Sequence, residues 1–398
     1  MDEVRGFFQR WVFPYLPYPH FMGLAPLDSV LALLLRTRMK MPVALWPRLI
    51  VLLSFSTLST VLSLPERLAI ATWLHFHPRR VAPHEAPVFV LGYFRTGTTW
   101  LQTLLSLDPA LRSPVWAEVL SPHTFVLTWA VLRVLLAPFL MLVRIRAVSP
   151  LGATLPAEDD FALCNWARAS VIAGRAVFPE QQDFYNRFHD FDRLTPAEMA
   201  RWEHYELAFV GKLMLTAKGR RLVLKSPSHT ARVRHLLRLF PGAKFVHISR
   251  PPRDVFQSNL ALVKALQDTF RLGVRIDADR QEEMIVEEYL AAMDRYVAER
   301  TLIPPGDLAE VRLEDLVADP IGELERVYGK LSLPFSEAFR QRLMTHGTAP
   351  NQSKRRPYPP FTAAQEARAA RLDHLGQFFG PGGPASPPAG SFTPPPSS

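Results

Sequence analysis

Three stretches of the chain share one pattern: a short unbroken apolar run, a loop of small and special-purpose residues, then apolar residues at helical spacing. In the first, Val88 to Leu91 lead into a turn bounded by Gly92 and Gly97, and Trp100, Leu101, Leu104 and Leu105 follow. In the second, the strand Arg221 to Ser226 carries Lys225 near its end, and SPSHT leads into a helix with Val233, Leu236, Leu237 and Phe240 on one face. In the third, Phe245 to Ile248 are followed by Arg250, a double proline and a helix read as capped by Asp254. VRLEDLVADP adds a strand and a capped helix that runs through Leu324, Val327 and Leu331. Helices are also predicted from Pro196 to Leu215 and from Gln281 to Val297. Strands that alternate with helices make an α/β fold, a mainly parallel sheet flanked by helices in three layers, with helical insertions.

Residues 1–80 read differently. They are apolar, aromatic and proline-rich, with cations at Arg36, Arg38, Lys40, Arg48, Arg79 and Arg80. The uncharged run Leu49 to Leu64 falls just short of the ~17 to 25 residues that span a bilayer, and six of its members are Ser or Thr. An interfacial helical pair on anionic lipid, a marginal span and a helical layer packed on the rest of the chain all fit it. A second apolar block, Thr124 to Val143, is interrupted by Arg133 and Pro138, with Arg144 and Arg146 after it. A mid-span arginine costs roughly 2.5 to 3.5 kcal/mol, so this block reads as amphipathic. The expected organisation is an apolar helical region at 1–80, an α/β domain at 81–350, a basic and proline-rich segment at 351–380, and a low-complexity tail at 381–398 that cannot bury a core.

Composition narrows the partners. A net charge of +9 and a pI near 9.8 favour anionic ligands, which include nucleotides and lipid headgroups. The single cysteine, Cys164, allows no internal disulfide, fits a reducing compartment and reads as core. MDEVRGFFQRW lacks the pattern of a secretory signal, so a cytoplasmic protein with membrane association is expected.

The loop from Gly92 to Thr99 is suited to a phosphate, because glycines admit a close ligand and uncapped amides at a helix start favour an anion. It is not a Walker A loop: Thr98 follows Gly97 where that motif has lysine, and the cation is Arg95, inside the turn. A small-molecule kinase and a non-catalytic nucleotide binder are the alternatives this leaves. Glu158, Asp159 and Asp160 form an acidic run that can complement a helix dipole or supply a base. Lys225, at the end of a strand, lies where open α/β sheets bind ligands, and His229 follows it closely.

YFRTGTTW resembles the 5′-phosphosulfate loop of sulfotransferases, typically Y-P-K-S-G-T-T-W, with Phe94 for proline and Arg95 for lysine. The acidic run, KSPSH, the Arg250 and Ser258 pair eight residues apart, and Val311 to Pro320 resemble further segments of the bacterial-type branch. The resemblance covers about Ala86 to Leu333 and implies 3′-phosphoadenosine 5′-phosphosulfate as donor, with no metal required. It implies that Thr96, Gly97, Thr98, Thr99 and Trp100 form the 5′-phosphate loop and that Arg95 stabilises the departing phosphate. Lys225 would neutralise sulfuryl oxygens, and Arg250 and Ser258 would hold the 3′-phosphate. Glu158 is the first expectation for the base, then Asp159, with His229 as a further candidate. Ser353 and Lys354, in APNQSKRRPYPPF, are weaker candidates for donor contact. The expected acceptor is a small-molecule or lipid hydroxyl, such as a glycolipid, sterol or quinol, and no nucleic-acid partner is expected.

Overall fold

The apolar runs form strands because each is covered on both sides. In a computed structural model the described residues are 20–38, 40–76, 86–128, 152–346 and 358–379. Five strands, β1 (Val88–Leu91), β2 (Leu111–Arg112), β3 (Arg221–Lys225), β4 (Lys244–Ser249) and β5 (Leu308–Arg312), make one sheet in the order β2-β3-β1-β4-β5. All four pairings are parallel, with Val90 opposite Lys225 on one side and opposite Val246 on the other. The period of two sorts side chains to opposite faces. Phe89, Leu91, Leu222, Leu224 and Phe245 join one core, while Val88, Val90, Val223, Val246 and Ile248 join the other. Both faces being apolar is what makes the strand sequences continuous rather than alternating.

Helices α3 (Thr98–Leu105) and α9 (Pro320–Lys330) cover the second core through Leu101, Leu104, Leu105, Leu324 and Val327. The first core lies under α4 (Asp160–Trp166), α5 (Pro196–Ala217), α6 (Val233–Leu239), α7 (Pro252–Phe270) and α8 (Ala278–Glu299). Helix α5 begins with a capping box, Thr195 with Glu198, and has Pro196 at its first position. The three-layer α/β reading therefore holds, and Cys164 is buried in the core as expected.

Some local expectations differ. Asp254 does not cap α7: Pro251 holds the cap position, and Asp254 sits in the first turn with its carboxylate 3.2 Å from Arg250 Nη2. Of the three acids at 158–160, only Asp160 lies inside a helix. The VRLEDLVADP segment gives two short helices in place of one, because Asp319 and Pro320 start a new helix, with Asp319 accepting from the Gly322 amide at 2.9 Å. The N-terminal run is part of a 31-residue helix, α2 (Trp46–Phe76), packed on α1 (Leu27–Arg36). Within the C-terminal segment, Ala363–Ala370 is a helix, α10, tied to α7 by Arg253 with Glu366 and to α8 by Arg368 with Glu282 (2.9 Å), and Arg253 also pairs with Asp373 just beyond the helix (2.7 Å). Arg79, Arg80, residues 129–151, Ser353, Lys354 and the tail lie outside the described residues.

Buried histidines give this core a pH dependence. His247 stacks on Tyr296 with ring centroids 4.0 Å apart, and burial pushes its pKa down to about 4, with Glu310 opposing and Arg300 assisting. A histidine that stays neutral when folded but takes a proton near pH 6.5 when unfolded stabilises the fold fully above that value. The contribution declines by about 1.4 kcal/mol per pH unit as pH falls toward the folded pKa. The urea midpoint of wild type should therefore fall between pH 7 and pH 5 by more than that of His247→Phe. Equal declines would contradict a neutral His247.

Candidate functional site

Because β1, β3 and β4 are parallel neighbours, their C-terminal ends open on one edge of the sheet, and the loops after them meet there. The loop after β1 is held in a form only glycine allows at two points. Gly92 has φ of 140°, and a Cβ on it would lie 2.6 Å from the carbonyl oxygen of Ile248. Gly97 has φ of 105°, and its Cβ would meet Leu313 at 2.7 Å. Arg95 is also left-handed, at φ 75°, a conformation that costs a non-glycine residue of order 1 kcal/mol or more and is found at ligand sites. Thr98 opens α3, so its amide and the next have no carbonyl a turn earlier within the helix.

Two groups of side chains gather on either side of this loop. On one side, Arg95 Nε donates to Ser258 Oγ at 2.8 Å, and Arg250 Nη1 lies 3.4 Å from the Arg95 carbonyl oxygen. Ser258 is buried in the first half of α7, and its hydroxyl also lies 3.0 Å from the Tyr358 hydroxyl. On the other side, Lys225 Nζ donates to Glu158 Oε1 at 2.6 Å and to Thr99 Oγ1 at 3.2 Å. Lys225 is 1% exposed, whereas the Glu158 side chain keeps a fifth of its surface open. A buried ammonium with one carboxylate and one hydroxyl can serve a further anion, and the carboxylate beside it can accept a proton.

The remaining candidates lie deeper. Asp159 and His229 are fully buried and bonded to each other, Asp159 Oδ2 to His229 Nε2 at 2.6 Å. Thr96 is buried, its hydroxyl donating to the Tyr93 carbonyl at 2.8 Å, so it shapes the turn. Trp100 is partly buried and packs against the core beneath α3. The structure thus brings Arg95, Thr99, Glu158, Lys225, Arg250 and Ser258 around one loop, and sets Asp159 and His229 behind it.

Residues that sequence reading passed over complete the arrangement. Glu206, from α5, is fully buried, and one ligand atom each from Asp159, Glu206 and His229 lie within 4.8 Å of one another. Among the described residues Asp159 Oδ1, both Glu206 oxygens and His229 Nδ1 have no hydrogen-bond partner. These three side chains could hold a cation, a water or a shared proton. Burial, and then Asp159, raise the Glu206 carboxyl well above its ordinary range. Behind the loop, Arg175 donates to Glu288 and to Asn259, each at 2.5 Å. Asn259 Nδ2 donates to the Phe94 carbonyl at 2.9 Å, and the Tyr93 hydroxyl donates to Glu288 at 3.1 Å. Arg175 also lies 4.2 Å over the Phe94 ring, so the start of the loop is clamped by a buried charged network.

Comparison with known proteins shows the family and the fold. The family model described as "Sulfotransferase family" matches residues 87–337. Two proteins named omega-hydroxy-beta-dihydromenaquinone-9 sulfotransferase Stf3, from Mycobacterium bovis and Mycobacterium tuberculosis, are each 31% identical over 319 residues, which is 78% of this chain and 78% of theirs. Among solved structures, sulfotransferase STF9 from Mycobacterium avium superposes with a TM-score of 0.64 at 20% identity, covering 88% of this chain and 96% of that one. Sulfotransferase STF1 from Mycobacterium tuberculosis gives 0.61 at 21% identity, covering 87% and 92%. At that identity the likeness of the two structures concerns the fold.

Proposed function

This chain belongs to the sulfotransferase family, and from that premise we propose that it moves the sulfuryl group of 3′-phosphoadenosine 5′-phosphosulfate to a hydroxyl on an apolar, lipid-like acceptor. The reading rests on one observation: two cationic groups, Arg95 with Arg250 and Ser258, and Lys225 with Thr99, flank one glycine-bounded loop. A donor with two phosphates and a sulfuryl group calls for that division. Arg250 and Ser258 hold the 3′-phosphate, the arginine by its planar fork and the serine by a directed hydroxyl. Thr98, Thr99 and the first amides of α3 hold the 5′-phosphate. Lys225 faces the sulfuryl oxygens.

In the reaction the acceptor oxygen attacks sulfur in line, the bond from sulfur to the 5′-phosphate oxygen breaks, and the acceptor proton passes to Glu158. The products are the sulfate ester and adenosine 3′,5′-bisphosphate. Arg95 stabilises the charge that develops on the leaving phosphate, and its hydrogen bond to Ser258 ties that role to the 3′-phosphate end of the site. Asp159, next to Glu158 in the chain and bonded to buried His229, serves as a positioning residue for it. An apolar acceptor fits the relatives, which are named for omega-hydroxy-beta-dihydromenaquinone-9, and the proposal sets the reaction in the cytoplasm at a membrane surface.

Calorimetric titration with adenosine 3′,5′-bisphosphate tests the donor. Wild type should bind it, and Arg250→Ala should bind about 10 to 100 times more weakly, the loss of charge-assisted bonds worth roughly 1.5 to 3 kcal/mol. A folded wild-type protein that did not bind this ligand would overturn the proposed donor.

A further inference from the structure

Helix α2 is inside-out. From its middle onward the residues turned into the protein are polar: Ser56, Ser59, Ser63 and Glu66 are buried. Ser56 Oγ donates to the Ala25 carbonyl at 2.7 Å and Ser59 Oγ to that of Leu24 at 2.9 Å. The Glu66 carboxylate accepts the successive amides of Phe125, Val126, Leu127 and Thr128, at 2.9 to 3.2 Å, and pairs with Lys212 at 3.2 Å. Burial alone would raise the Glu66 carboxyl, but Lys212 and the amides outweigh it and hold it below its ordinary range. The opposite face is bare and mainly apolar, with Ser54 and Thr57, which bond back to their own helix, exposed among its apolar side chains. Phe55, Leu58, Val61, Leu62, Leu64 and Leu68 are 40% to 68% exposed. A helix on a water-facing surface has the reverse arrangement.

We propose that this face of α2 seats in the outer part of one leaflet of an anionic bilayer, as a monotopic contact that does not cross. Lipid fits the face better than a second protein because exposed cations flank the stretch and no charge falls within it. Arg36, Arg38 and Lys40 precede, and Arg67 follows, an uncharged run from Leu49 to Leu64, all four are exposed, and the whole chain carries +9. Apolar side chains enter the boundary between headgroups and acyl chains while the flanking cations meet anionic headgroups. Length and composition would allow the stretch Val43–Ala69 to cross, but its inner side is occupied. Arg48 donates to the carbonyls of Asp268, Thr269 and Arg271 at 3.2 to 3.4 Å, and Glu66 holds the amides of residues 125–128. A spanning helix would have to leave those groups unpaired in hydrocarbon. The inference deepens the membrane location proposed with the reaction, and it stands on the helix whatever the acceptor proves to be.

Flotation of the full chain with vesicles tests it, using phosphatidylcholine alone and phosphatidylcholine mixed with phosphatidylglycerol. The wild-type protein should float with the mixed vesicles, less so at high salt, and weakly with the neutral ones. The double variant Leu58→Asp with Leu62→Asp should partition about tenfold less, whereas Leu302→Asp, an exposed leucine beyond the helix, should match wild type. Binding of adenosine 3′,5′-bisphosphate unchanged in the double variant shows an intact fold. A failure of that ligand to bind any of the proteins would count against the donor and leave the flotation result standing. Equal flotation of wild type and double variant overturns the proposal. So does retention in the bilayer after alkaline carbonate washing, which marks a span. A wild-type dimer that ignores vesicles and is split by the same two substitutions would assign the face to a second copy of the chain instead.

Discussion

Arg95→Ala should lower turnover with the labelled donor by about 10² to 10³-fold, with a smaller change in donor affinity. Removing one preorganised donor from a site of developing charge costs roughly 2.7 to 4 kcal/mol of barrier. The physical reason is position. Arg95 is held at φ 75°, its carbonyl oxygen is met by Arg250, and its Nε is fixed by Ser258, so the guanidinium is placed before the donor arrives. Charge on the leaving phosphate grows only as the bond to sulfur breaks, so the loss falls mainly on kcat. Arg95→Lys should keep more activity, because it restores a cation and the spelling typical of the loop, while losing the planar fork. Retained binding of adenosine 3′,5′-bisphosphate would show that the loop survives the substitution. Unchanged turnover of Arg95→Ala would remove this residue from the mechanism.

Glu158→Gln should cost about 10² to 10⁴-fold in kcat, the usual contribution of a positioned general base. The substitution preserves shape and can still accept from Lys225 through its amide oxygen, so binding of both substrates should change little. Glu158 is the member of the acidic run with an open side-chain surface, whereas Asp159 is closed off and bonded to His229. Asp159→Asn should therefore act through stability and the placing of its neighbours, visible as a lowered urea midpoint. Wild-type turnover by Glu158→Gln would place the base elsewhere.

The parts of the fold that could be read in the sequence are those in which local pattern and burial agree. Val88 to Leu91, Leu222 to Leu224 and Phe245 to Ile248 are unbroken apolar runs because their sheet is covered twice, and each is followed by its own loop and helix. Strand β2 has two residues and gives no periodicity at all; it exists because Leu111 and Arg112 lie beside Arg221 and Leu222. The site was legible where one loop carries several functional groups, as from Gly92 to Thr99. It was hidden where partners come from distant elements. Glu206 joins Asp159 and His229 from another helix, and Arg175 meets Glu288 and Asn259 in a network that no spacing predicts. Helix α2 illustrates a further limit. The sequence shows an uncharged run with scattered Ser and Thr, and only packing against Ala25, Leu24 and residues 125–128 tells which face turns inward. Its Ser and Thr residues, which lowered its apparent fitness for lipid, in fact fall partly on the protein side.

The most direct test of sulfuryl transfer to a lipid-borne alcohol is incubation of the full chain with sulfur-labelled 3′-phosphoadenosine 5′-phosphosulfate and a membrane lipid extract, followed by partition between organic solvent and water. The account predicts a labelled sulfate ester that depends on enzyme, partitions with the lipids and is lost with Arg95→Ala. Label confined to water-soluble products would contradict the lipid acceptor, and magnesium-dependent turnover of ATP without any transfer of labelled sulfur would contradict the reaction itself.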